Sequence, residues 1–217
     1  MFFSAAPVNP VFKPMLVHEP VMLRPGLASD YDQWLALREA SRDHLIRWEE
    51  DWTPAQATLS AFKRRLKAYR NEARRGGGLS LLSFRQRDGA LVGGATLTNI
   101  RYGAARSAIL GYWIGAPFVR QGYGRAGLTA LKAHAFERIG LNRIVAACQP
   151  ENAASQKLLL ACGFTREGCS RDYLRINGDW RDHEIYAVTA ADHFRQSAGS
   201  SEARPLTAEP RKPAPLS

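Results

Sequence analysis

A single junction narrows what this chain can fold into. A strand-like run over residues 108–114 is followed by Gln121-Gly122-Tyr123-Gly124-Arg125-Ala126, which opens a helix over about residues 124–139. A strand that feeds a helix through glycines commits the chain to a sheet with helices packed on it. The first N–H groups of such a helix have no internal acceptors and sit at the positive end of its dipole, where small side chains let an anion approach. The junction is therefore either a tight turn alone or the seat of a pyrophosphate. No GxxxxGK[ST] occurs, and no GxGxxG follows the first strand, so neither of those phosphate-binding designs applies.

Around the junction the apolar period alternates between two and 3.6 residues. Residues 21–24 read as a short strand, and Ser29 is an N-cap candidate for a helix over 30–47. Thr53-Pro54-Ala55-Gln56 joins a capping box to a proline at the first helical position, and Leu59, Phe62, Leu66, Tyr69 and Ala73 follow as a core stripe. Gly76-Gly77-Gly78 stops that helix, and strands over 79–85 and 91–99 pair across Asp88-Gly89. A strand over 143–148, a helix over 152–161 and a hairpin turning at Asn177-Gly178 complete the order. The fold class is α/β, a mixed central sheet with helices on both faces, and the later strand–helix–strand crossovers require locally parallel pairing. Residues 20–193 form one domain. Pro7, Pro10, Pro14 and Pro20 make 1–19 an extended arm, and the Ser-, Ala-, Pro- and Glu-rich residues 194–217 read as a disordered tail.

With 217 residues, 45% of them apolar, the chain suits one domain, and no apolar run reaches the roughly 18–20 residues that span a bilayer. A cytoplasmic protein is expected. Cys148, Cys162 and Cys169 form no CxxC pair, so reduced thiols and no structural metal are expected. Thirty Lys and Arg against twenty Asp and Glu give a formal charge of +10, which favours an anionic partner. Much of it is local: Lys63, Arg64, Arg65, Lys67, Arg70, Arg74 and Arg75 face only Glu72.

Residues 121–126 match every fixed position of [Gln/Arg]-x-x-Gly-x-[Gly/Ala], and here the chain resembles the GNAT acetyltransferases. Pro150-Glu151-Asn152-x-x-Ser155 and Cys162-Gly163-Phe164 are similar to the helix and closing turn that flank acetyl-CoA in that family. Ser41-Arg42-x-x-Leu45-x-x-Trp48-Glu49 and Asp172-Tyr173-Leu174-x-Ile176-x-Gly178-x-Trp180-Arg181-Asp182-His183 resemble the RimJ/RimL branch, which acetylates α-amino groups of ribosomal proteins; the close of the domain is most similar to the RimJ alanine N-acetyltransferases. The likeness covers roughly residues 20–190.

The resemblance implies a GNAT fold, acetyl-CoA as co-substrate and direct attack of an amine on the thioester. Such an amine must first lose a proton, since an α-amine with a pKa near about 8 is mostly charged at pH 7. Trp113 and Ile114 would meet the pantetheine and the thioester oxygen; Gly122 and Gly124, with the backbone of Gln121, Tyr123, Arg125 and Ala126, would hold the pyrophosphate. Asn152 is a helix cap, a pantetheine contact, or both. Many relatives place a general-acid tyrosine where Leu159 stands, so Ser155 is the candidate acid. Glu49 is the candidate base, and Asp182 is a second carboxylate that can instead pair with Arg181. His183 is a packed strand residue or a titrating one. Trp48, Tyr173 and Asp182, with Trp180, are candidates for the acceptor entrance.

The expected acceptor is a protein N-terminus, with a ribosomal protein implied. The rivals are a GNAT acting on an amino acid, polyamine or antibiotic, and a non-catalytic module binding acetyl-CoA or RNA. The basic helix over 54–75 is a solvated face, a weak rRNA contact, or a docking face for an acidic peptide. No membrane partner is expected, and monomer and homodimer both stay open.

Overall fold

A computed structural model describes residues 14–49 and 53–202, with side chains through Gln196. Among the described residues eight strands form one sheet in the order β1-β2-β3-β4-β5-β6-β8-β7. They are β1 (Leu16–His18), β2 (Val21–Arg24), β3 (Leu79–Arg85), β4 (Leu91–Arg101), β5 (Ser107–Ile114), β6 (Arg143–Cys148), β7 (Thr165–Ile176) and β8 (Asp179–Thr189). Every pairing is antiparallel except β5 with β6, the parallel crossover that the helix between them requires.

Each face of the sheet carries its own core. On one face α4 (Tyr123–His134) and α5 (Ala153–Ala161) bury Leu81, Leu97, Leu131, Ile144 and Leu159. On the other, α1 (Tyr31–Ala40) and α3 (Leu59–Arg74) close over Phe84 and Leu91, with Trp34 and Phe62 ring centroids 4.9 Å apart. Direct aromatic contact of this kind adds about 0.5–1.5 kcal/mol to the area that the pair buries.

Three local expectations give way. The helix expected over 30–47 breaks at Ser41 into α1 and the short α2 (Arg42–Leu45), and Ser29 lies inside a single tight turn rather than capping it. Ser41 is fully buried, and its Oγ accepts the N–H of Ala116 at 2.9 Å, a long-range bond that periodicity cannot register. The capping box at Thr53 forms, with the Thr53 N–H donating to Gln56 Oε1 at 3.0 Å, but it opens only a short turn, Pro54–Ala57. A second cap, Thr58, accepting from Ala61 N–H at 3.2 Å, starts α3.

The ends differ as well. Leu16–His18, placed in the arm by sequence, pair with β2 from Leu16↔Leu23 to His18↔Val21 and extend the sheet. α6 (Ala190–Glu202) runs through the first part of the expected tail. His193 is 6% exposed, its ring 5.4 Å from that of Phe136 and its Nε2 3.0 Å from Glu137 Oε1. Lys132 Nζ donates to Gln196 Oε1 at 3.1 Å and to Cys162 O at 2.7 Å. A few anchoring contacts thus order a helix whose composition is that of a tail. The rest of the expected arm and tail, 1–13 and 203–217, lies outside the described residues.

Candidate active site

The parallel pair β5/β6 holds register only from Ser107↔Arg143 to Leu110↔Ala146. Beyond that β5 runs on to Ile114 and β6 to Cys148 without pairing to each other, while residues 111–114 stay bonded to β4 on their far edge. The near edge of residues 111–114 therefore turns its backbone groups to a gap in the sheet.

Beside the gap, Gly122 caps α4 at φ +83°, in the left-handed region that glycine enters without cost. The first helical bond is donated by Ala126 N–H to Gly122 O at 3.0 Å. Among the described residues the N–H groups of Tyr123, Gly124 and Arg125 have no backbone acceptor, and they converge at the positive end of a twelve-residue helix. Ala126 was expected to help hold the pyrophosphate through its backbone; that N–H is already engaged. The Tyr123 side chain turns away, 7% exposed, its ring edge-on to Phe118 at 6.0 Å. Gln121 Nε2 donates to Pro117 O at 2.8 Å, so its side chain shapes the turn. A Cβ on Gly124 would stand 3.0 Å from Leu158 Cδ2 and 3.4 Å from Ile114 Cγ1, and glycine there lets α4, α5 and the end of β5 meet.

Asn152 caps α5, its Oδ1 accepting from Ser155 N–H at 3.0 Å. The Ser155 hydroxyl lies 2.6 Å from the Tyr112 hydroxyl, across the gap. Burial pushes the Tyr112 phenol well above its ordinary value, so it stays protonated through the neutral range. Burial also pushes the Cys148 thiol up, against a hydrogen bond from Ser155 that works the other way. Leu159 is 0% exposed and belongs to the core, so the hydroxyl that answers Ser155 comes from β5 instead.

Alternation along β5 sends Tyr112 to the α4/α5 face and its neighbour Trp113 to the opposite one, beside Phe62 and Phe84. There a cavity of about 1130 Å³ lies between α3 and strands β3, β4 and β5. Gly111, Trp113 and Glu49 are among its walls. Arg38 grips Glu49 with both nitrogens, NH1 to Oε1 at 2.9 Å and NH2 to Oε2, and lies over the Trp113 ring at 5.1 Å. The loop bearing Glu49 is tied at two carbonyls: Gln149 Nε2 donates to Arg47 O at 3.1 Å and Asn177 Nδ2 to Ile46 O at 2.6 Å.

The remaining candidates lie elsewhere. Trp48 is half-buried, with Arg47 5.5 Å over its ring. Asp182 Oδ1 accepts the Asp172 N–H at 2.9 Å within the β7/β8 hairpin, and Arg181 pairs with Asp179 rather than with Asp182. His183 is 3% exposed, bonded at Nδ1 to Arg181 O and 5.5 Å from the Tyr173 ring. None of Trp48, Tyr173 and Asp182 lines the cavity. Sequence reading missed Tyr112 and Arg38. Period-two alternation sets Tyr112 on the face opposite Trp113, but only the fold puts α5 on that face; Arg38 carries no such local signal.

Residues 21–165 match the family described as the acetyltransferase (GNAT) domain. The Escherichia coli ribosomal protein uS5 alanine N-acetyltransferase is 31% identical over 76% of this chain and 87% of its own length. Mycobacterium smegmatis RimJ, solved in complex with CoA-disulfide, is 32% identical with a TM-score of 0.77, covering 86% of this chain and 93% of that one. The ribosomal-protein-S5-alanine acetyltransferase of Vibrio fischeri has the same TM-score at 26% identity, over 83% of this chain and 98% of its own.

Proposed function

Because the chain belongs to the GNAT acetyltransferase family, as an N-acetyltransferase of the RimJ/RimL type, we propose that it moves the acetyl group of acetyl-CoA onto the N-terminal α-amine of a ribosomal protein. The observation that carries this reading is the gap between β5 and β6. It lies between three unengaged helix N–H groups on one face and a side-chain-lined cavity holding a carboxylate on the other.

The backbone N–H groups of Tyr123, Gly124 and Arg125 hold the pyrophosphate, with Asn152 beside the pantetheine. The exposed edge of residues 111–114 steadies negative charge on the carbonyl oxygen as the amine adds, a task that fixed dipoles perform without reorganising. Glu49, oriented by Arg38, takes the proton that the amine must lose. As the carbon–sulfur bond breaks, Ser155, oriented by Tyr112, donates a proton to the thiolate, and the second proton shed by the acylated nitrogen restores the serine hydroxyl. Holding amine and thioester on either side of one gap turns a bimolecular encounter into a local one. A cavity of about 1130 Å³ exceeds what a single small amine fills, which favours a polypeptide acceptor. Lys63, Arg64, Lys67 and Arg75, outside the cavity, suit a weak rRNA contact near such an acceptor, and the setting is cytoplasmic.

Thiol release from acetyl-CoA, followed with short peptides of differing first residue beside free amino acids, spermidine and an aminoglycoside, tests the reading. Turnover of peptides with a free N-terminal Ala or Ser, abolished by blocking that amine, is expected. Turnover confined to the free amines overturns it.

A further inference from the structure

The basic run on α3 is divided by the fold. Arg65, Arg70 and Arg74 line the cavity, whereas Lys63, Arg64, Lys67 and Arg75 do not. Two further cavity arginines are already neutralised: Arg24 grips Asp30 with both nitrogens at 2.8 Å, and Arg38 grips Glu49. Arg65 lies over the Trp34 ring at 5.0 Å, with a long bond to Gln56 O at 3.4 Å, and has no acidic partner among the described residues. Arg70 and Arg74 are exposed, and among the described residues neither has an ion pair. Among the described residues Glu49 is the sole acidic residue in the lining, and it is paired. Among the described residues, then, the cavity presents three positive charges without an acidic partner along one wall, over a floor that includes Leu82, Gly94 and Thr96.

Position fixes what those charges can meet. Lining residues on α3 recur from Phe62 to Arg74, twelve helical rises or roughly 18 Å of helix, which matches about five residues of extended chain. An acceptor whose amine sits by Glu49 and Trp113 must run its following residues through this cavity. We propose that the acceptor carries acidic side chains within about the first six residues after its N-terminal amine, and that Arg65, Arg70 and Arg74 select them. A concave wall with low-dielectric surroundings concentrates the field of these charges on whatever enters. A nucleic acid is the weaker occupant, because these arginines share their cavity with an apolar sheet surface. This inference rests on the N-terminal reading above.

The test uses the full chain and Ala-initiated peptides in which positions 3–6 carry Asp and Glu, the isosteric Asn and Gln, or Lys. The acidic peptide is expected to show a KM about tenfold below the neutral one and further below the Lys peptide, with kcat little changed. The gap should shrink severalfold on adding 0.5 M NaCl, as an exposed charge contact requires. In the double variant Arg70→Glu, Arg74→Glu the preference should disappear or invert, with acetyl-CoA affinity measured alongside to report folding. Equal KM values, or an acidic preference that survives the double variant, overturn the proposal. So does competition by a short single-stranded RNA that is lost in the same variant, which makes the wall a nucleic-acid site. Turnover of free amines but of no peptide overturns the N-terminal reading, and this inference with it.

Discussion

The two sides of the β5/β6 gap are built from different materials. On the α4 side, the groups that face outward are backbone N–H atoms, and the neighbouring side chains are turned to other tasks: Tyr123 into the core and Gln121 onto Pro117 O. On the α3 side, the groups that line the cavity are side chains, Glu49, Arg38, Trp113 and the arginines of α3, drawn from four separate stretches of chain. A backbone cradle is specified by a short local pattern of glycines, whereas a side-chain wall is specified by the fold as a whole. That difference predicts where substitutions bite.

The largest effect should come from filling the cradle. Gly124→Val places a branched side chain where even a Cβ meets Leu158 at 3.0 Å, and acetyl-CoA affinity should fall more than about 100-fold by calorimetry. Next, Ser155→Ala should lower kcat by about 100-fold with the donor's Kd within threefold, as loss of a proton donor does. Tyr112→Phe, which leaves the serine in place, should cost about tenfold; equal losses in both would mean that Tyr112 does the donating itself. Glu49→Gln should reduce kcat/KM by about tenfold and leave donor binding untouched. A donor-side defect in that variant would break the comparison.

A smaller effect concerns the wall near Arg24. Burial works to raise the Asp30 carboxyl, but the Arg24 bonds and the Leu27 N–H win and hold it below the ordinary value of 3.8. Its stabilising contribution is full above that value and is lost as pH falls through the lower folded one. Asp30→Asn should therefore cost about 1–2 kcal/mol in urea unfolding at pH 7, discounted for the 23% exposure of Arg24, and the gap should close in strong acid. Smallest of all, Gln121→Ala keeps the N–H groups and should change donor affinity by less than about threefold.

The same contrast sets what sequence could disclose. Strands 79–85 and 143–148, the junction at 121–126 and the cap at Asn152 follow from local pattern, because neighbouring residues cause them. The break at Ser41 and the pairing of Arg38 with Glu49 are made by residues 75 and 11 positions apart. Tyr112 was legible in part: alternation gives its face, but only the sheet's opening brings Ser155 within 2.6 Å. α6 escaped because composition averages over residues, and its order rests on His193 and Gln196.

The loop that carries Glu49 is held by Gln149 and Asn177 through the carbonyls of Arg47 and Ile46. Carbonyls are common to every residue, so this grip is indifferent to which side chains the loop bears. Substitution can therefore rewrite the side chains that the loop turns outward while its attachment to the frame beneath stays the same.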